Sequence, residues 1–225
     1  MDIKEKKHVA TINLTSLPGA YHCNNADFGK SFYSEEDEFP LLYSSHQGRN
    51  ARCILVDRIM RDGEQYKLQT VQTIFIPWEL DDRLCYTPDA IIDKENDFIY
   101  VYTGNTSPVT DFFIFKFRLP ALHEGDVKLS RNDLLSSWVI FNNPLYYKQG
   151  GAINNNIIYI LEGVPVWQAD NILRIIDLSN CTYKTINLSK DYSLNWEPED
   201  VFFYNNRLYI ASNQAGFYLV NMEEE

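Results

Sequence analysis

A chain of 225 residues with 45% apolar and 14% aromatic content, including 15 Tyr and 13 Phe, has ample material to bury a core, which argues against a disordered polymer. Its formal charge is −11 and its 20 basic residues are scattered rather than gathered into a stripe, so the footprint of a phosphate-backbone binder is missing and nucleic acid is disfavoured as a partner. No apolar run approaches the ~20 residues of a spanning helix.

Met1 is followed by Asp2, Ile3 and Lys4 rather than by a signal peptide's apolar segment. The expectation is therefore a soluble, acidic protein, cytoplasmic by default and exported if a leader has been removed. Lys4, Lys6 and Lys7 are interrupted by Glu5 and read as a solvated end. Cys23, Cys53, Cys85 and Cys181 lie far apart without a C-x-x-C pair, which favours buried free thiols over a zinc or redox motif. Sequons at Asn13, Asn105, Asn180 and Asn187 are treated as chance in an Asn-rich chain.

Along the chain, residues 8–14 (HVATINL) alternate like a strand but have no hairpin of their own. Four modules follow, at about 20–77, 84–141, 145–190 and 195–222, each a small polar lead-in, a short apolar strand, a turn and a Tyr-bearing strand. The first carries HCNNADF at 22–28 and FPLLYSS at 39–45, joined by an acidic excursion over 29–38, with further strands at 53–59 and 67–76. The second carries PDAIID at 88–93 and FIYVYTGN at 98–105 around a turn at 94–97, then a strand at 112–117. Residues 131–138 are its helix candidate, capped by Asn132 or Asp133, and 137–141 a possible fourth strand.

The third module has GGAIN at 150–154 and IIYILEG at 157–163 around an Asn turn, then strands at 173–178 and 182–188. The fourth has PEDVFF at 198–203 and LYIASN at 208–213 around Asn205 and Asn206, then only one more strand, 216–220. Pairing of residues 8–14 with 216–220 would close a ring and hide an edge. The fold expected is all-β: a single β-propeller domain over 1–225 with four visible blades, under a tenth of it helical. The competing arrangement is five-bladed, or a chain that begins part-way through a longer pattern.

EPEDV at 197–201 with RLYIASN at 207–213, and PDAIID at 88–93 with FIYVYTGN at 98–105, resemble the inner-strand pairs of six-bladed propellers of the gluconolactonase, strictosidine synthase and NHL-repeat group. The likeness covers roughly 150 residues. In gluconolactonase-like enzymes one Glu, two Asn and one Asp from different blades hold a divalent cation at the channel mouth, so the resemblance implies a metal-assisted hydrolase or lactonase.

In a propeller the polar lead-ins converge on the axis. The converging set is His22, Asn24, Asn25 and Asp27, then Asp89, then Gln149, then Glu197, Glu199 and Asp200. Such an oxygen-rich, thiol-poor funnel suits Ca²⁺ or Mg²⁺, while the plainer reading has the same residues capping turns and solvating the channel. Asp27, Asp89 and Glu199 are the acids to test for glycoside hydrolysis, which needs two carboxyls flanking a bond. His22 could serve as base or ligand, or simply hydrogen-bond to backbone. Trp78, Trp138, Trp167 and Trp196 flank the expected strands; Trp167 and Trp196 are the most loop-like, placed to stack on a sugar or a partner, or to cover blade interfaces. No G-x-S-x-G elbow, P-loop or H-E-x-x-H occurs. The leading expectation is a propeller that binds a small molecule, glycan or protein at an acidic mouth. The alternative is a hydrolase using the same carboxylates.

Overall fold

The computed structural model describes residues 11–13, 20–48, 52–77, 80, 88–103, 111–140, 145, 147–164, 169–214 and 216–221. It is an all-β protein, 60% strand and 7% helix, with four sheets arranged as a four-bladed β-propeller. Blade 1 orders β1 (Ala20–Phe28), β2 (Leu42–Gly48), β3 (Cys53–Asp62) and β4 (Gln65–Phe75) as an antiparallel meander. Blade 2 is β5 (Asp89–Asp93), β6 (Phe98–Thr103) and β7 (Phe112–Arg118); its chain then leaves to add β8 (Val127–Lys128) to blade 1 before returning as β9 (Leu134–Ile140). Blade 3 is β10 (Lys148–Asn154), β11 (Ile157–Glu162), β12 (Ile172–Asp177) and β13 (Thr182–Asn187). A short helix α1 (Leu188–Tyr192) leads to blade 4, β14 (Pro198–Tyr204), β15 (Arg207–Ser212) and β16 (Gly216–Val220).

The hairpins form where the turn chemistry demands them. Asn155 and Asn156 have φ of 49° and 64°, and Asn205 and Asn206 have 49° and 59°. Type I′ turns need positive φ at both central residues, and Asn tolerates it. Alternation then sends successive side chains to opposite faces of each blade, so the sheets of blades 2 and 3 each serve two cores. One cluster joins blades 1 and 2 through Ile54, Val56, Ile99 and Phe115; a second joins blades 2 and 3 through Ile91, Tyr100, Ile160 and Ile176; a third joins blades 3 and 4 through Tyr159, Leu173, Val201 and Ile210.

One expectation needs correction. Residues 131–138 are not a helix: a single 3-10 turn over Arg131–Asp133 runs straight into β9. The cap is Ser130, whose backbone N–H donates to the Asp133 carboxylate at 2.7 Å and whose hydroxyl donates to it at 2.6 Å. Helical continuation fails because Trp138 and Ile140 pair with β7 and supply the blade 2 to blade 3 core, so tertiary burial overrides a weak local signal. Four blades, the arrangement expected first, is the one the structure has, and the five-bladed competitor falls away.

The parallel strand β8 was not anticipated. Its loop holds blade 1's outer edge: Gln72 Nε2 donates to the carbonyls of Ala121 and Gly125, and the Thr73 N–H donates to Asp126. Of residues 8–14, only Thr11, Ile12 and Asn13 are among the described residues, and they carry no strand pairing. Trp78 and Trp167 lie outside the described residues. No described helix is long and apolar enough to cross a membrane.

Candidate functional site

The inner strands β1, β5, β10 and β14 bring their polar starts together. Counting back from the last pair of each hairpin (Phe28 with Leu42, Asp93 with Phe98, Asn154 with Ile157, Tyr204 with Arg207) makes Asn24, Asp89, Gly150 and Asp200 equivalent. Aligning the polar lead-ins by sequence makes Asn25, Asp89, Gly151 and Glu199 equivalent instead, one residue off in three blades. Irregular register between Cys23 and Asn25, Lys148 and Gly151, and Pro198 and Asp200 explains the slip, since one extra residue moves a side chain to the other face.

These four equivalents form two touching pairs. Asn24 Nδ2 donates to Asp89 Oδ2 at 3.4 Å and to the Lys148 carbonyl at 2.8 Å. Gly150 lies against Asp200: a Cβ there would fall 2.1 Å from Asp200 Oδ1 and 2.8 Å from its Cα, so no larger residue fits. Asn25 ties three blades, donating to the Ala90 carbonyl at 2.5 Å and the Gly151 carbonyl at 3.3 Å, while its Oδ1 accepts from Gly151 N–H at 3.5 Å. Asp27 accepts from Ile92 N–H at 3.1 Å and from Asn25 Nδ2 at 3.3 Å. On the other side, Gln149 Nε2 donates to Glu197 Oε1 at 2.9 Å and to the Gly163 carbonyl at 3.1 Å, and Asn213 Nδ2 approaches Glu197 Oε2 at 3.4 Å.

The charge at the axis is mixed rather than purely acidic. Lys148 places its ammonium on Asp89, with side-chain exposures of 8% and 0%, a buried pair that the sequence reading passed over. Also missed were Ser45, whose hydroxyl accepts from Ala90 N–H at 3.0 Å, and Tyr102, whose hydroxyl donates to the Gln149 carbonyl at 2.9 Å. A signal for Lys148 was present, since it directly precedes Gln149 in a polar lead-in.

Burial raises the acids that lack such a partner. Asp27 is pushed up to about 7 by desolvation, against the opposing pull of the Ile92 and Asn25 hydrogen bonds. Asp200 is held well above the carboxylate range by desolvation and by the charge of Asp27; among the described residues its hydrogen bond comes from the Val201 N–H at 2.8 Å. The Cys23 thiol is pushed to about 12 by burial and by Asp89, which makes it a poor nucleophile. Tyr102 is raised by burial and the surrounding carboxylates, so it stays a neutral donor.

The remaining candidates are dispersed. Glu199 is half-buried beside Asp200 and adds to its repulsion. His22 lies in β1 opposite Gln47, with its side chain outside the described residues. Trp138 is an interface residue, its ring 6.2 Å from Tyr100 and its Nε1 donating to the Leu178 carbonyl at 2.9 Å. Trp196 is exposed, and its carbonyl accepts from Asn171 Nδ2 at 2.8 Å. Among the described residues no three His, Cys, Asp or Glu side chains gather as a metal site.

No protein-family model and no curated protein matches the chain, so the likeness to the gluconolactonase group rests on the quoted residues alone.

Proposed function

We propose that this propeller is a binding protein that recognises a donor-rich ligand, a hydroxylated small molecule or glycan, or a protein segment, at the axis between β1, β10 and β14. The observation that carries this reading is Asp200: among the described residues the half-buried carboxylate sits beside Asp27, accepts from its own neighbouring Val201 N–H, and is disfavoured as an anion by desolvation. Asp89, by contrast, has Lys148. An O–H or N–H supplied from outside would relieve that destabilisation, because hydrogen bonding to a buried carboxylate offsets its desolvation. Gln149 and Glu197 hydrogen-bond each other at the start of β14, and Trp196 is an exposed aromatic two residues before that strand.

Thermal-shift screening of mono- and oligosaccharides and small polyols against the parent and Asp200→Asn tests this. Binding raises the melting temperature as ligand exceeds its dissociation constant, and Asp200→Asn should lose that rise. A ligand whose shift is unchanged by Asp200→Asn would place recognition elsewhere. The hydrolase alternative requires a metal-linked response: melts with Ca²⁺, Mg²⁺ and Mn²⁺ against EDTA that coincide would remove it.

A further inference from the structure

We propose that the excursion between β1 and β2, residues 29–41, is a docking surface for a protein partner that presents a cationic segment, with Phe32, Tyr33, Glu35 and Glu36 as its contact side chains. The other inner hairpins turn over 94–97, 155–156 and 205–206, so this connection is longer than the fold requires. It leaves β1 at the end opposite the polar starts, away from the axis mouth. Long connections without regular structure are uncommon in a compact domain and are where binding residues concentrate.

The excursion is firmly held. At its neck the Gly29 N–H donates to the Leu41 carbonyl at 2.9 Å and the Leu41 N–H to the Ser31 carbonyl at 2.8 Å, and Gly29 lies so near the Tyr43 ring that a Cβ would fall 2.7 Å from it. Lys30 pairs with Asp97 of the blade 2 turn at 2.6 Å. Arg58 of β3 donates to both carboxylate oxygens of Asp37, from Nε at 2.9 Å to each and from Nη2 to Oδ1 at 2.6 Å. Tyr66 of β4 meets Phe39 edge-on at 5.6 Å. Asp37 also fixes the tip, accepting from the Ser34 N–H at 3.1 Å while its own N–H donates to the Ser34 carbonyl at 3.1 Å.

A tip so held still leaves aromatic rings in water. Phe32 and Tyr33 are each 49% exposed, and Phe28 at the root of the excursion is 45% exposed. The strands and turns that hold the excursion, at 41–43, 58–66 and 94–97, all lie among the described residues. Apolar groups kept exposed on a fixed surface mark an interaction site.

Charge selects the occupant. Lys30 and Asp37 are engaged in ion pairs, while Glu35 and Glu36 beside them are exposed. Those two carboxylates repel an anionic partner and attract Lys or Arg. Tyr33 already takes a cation on its ring, where the Arg58 guanidinium carbon lies 4.8 Å from the centroid. A partner's Arg or Lys between Tyr33 and the carboxylates, with an apolar neighbour on Phe32, uses each of these groups.

NMR titration of the full chain with a short peptide alternating Arg and Leu tests this, with a peptide alternating Glu and Leu as its counterpart. Amide shifts should gather at residues 31–37. Phe32→Ser should weaken the Arg–Leu peptide by about tenfold at unchanged net charge, and Glu35→Gln/Glu36→Gln should weaken it several-fold and flatten its salt dependence. Asp200→Asn should leave it unaltered, which separates this surface from the axis. Unshifted amides in β1, β2 and β3 verify that the variants keep the fold. No shift at 31–37, shifts centred on the axis mouth, binding indifferent to Phe32→Ser, or equal binding of the Glu–Leu peptide overturns the proposal. Shifts at 31–37 produced by oligosaccharides and not by the Arg–Leu peptide also overturn it, in favour of a glycan on the same rings.

Discussion

Replacing Lys148 by Met would remove the ammonium that faces the Asp89 carboxylate inside the ring. The two side chains are 8% and 0% exposed, so solvent cannot substitute for the lost ammonium. Removing one member of such a buried pair costs about 3–5 kcal/mol, and at about 2–4 °C per kcal/mol for a chain of this size the melting temperature should fall by about 6–20 °C. Asp89→Asn/Lys148→Met, which removes both charges, should recover most of the loss, since an apolar or neutral replacement of a whole pair is often close to neutral. Urea denaturation of parent, both single variants and the double variant gives the coupling free energy directly, with the slope against denaturant expected to stay constant. A Lys148→Met protein melting within about 2 °C of the parent, or a double variant no more stable than the single, would refute the view that this pair holds blades 2 and 3 together at the axis.

Asp27 makes stability depend on pH in an unusual direction. Burial lifts its carboxyl to about 7, so the folded chain keeps a proton that the unfolded chain releases above about 4. Its contribution is therefore complete below that lower value and is lost as pH rises toward 7; Asp27→Asn should shrink the fall in urea midpoint between pH 5 and pH 8, and an equal fall in both proteins would rule the assignment out. Asn25→Ala leaves the Ala90 and Gly151 carbonyls without their side-chain donor and should cost about 2–4 kcal/mol by chemical denaturation. Gly150→Ala drives a methyl into Asp200, backbone included, and should cost about 1–3 kcal/mol; a neutral result would mean β10 and β14 lie farther apart than described.

Much of the fold was legible because the signals were local. The Asn turns at 155–156 and 205–206 declare hairpins through the conformations they tolerate, and the alternating apolar residues of β5, β6, β11 and β15 follow from a two-residue period. What failed was non-local. The 131–138 segment has a plausible cap, yet the partner that makes it a strand, β7, is set by tertiary pairing. β8 adds to a strand of the previous blade, and two residues in a loop carry no periodicity from which that could be read.

The axis divides in the same way. Composition and lead-in position were enough to nominate Asn24, Asn25, Asp27, Asp89, Gln149, Glu197 and Asp200, because any inner strand starts at the axis. Their relationships were not available from the chain, since irregular register at three inner strands shifts each lead-in by a residue, and a shift of one residue reverses the face. Only the tertiary structure decided that Lys148 pairs with Asp89 while no cation among the described residues meets Asp200, because charge pairing depends on distances between blades that no single strand encodes. The sequence by itself determined a repeated strand-and-turn module with polar starts; the assembled ring determined which of those polar groups satisfy one another, because that depends on distances between blades.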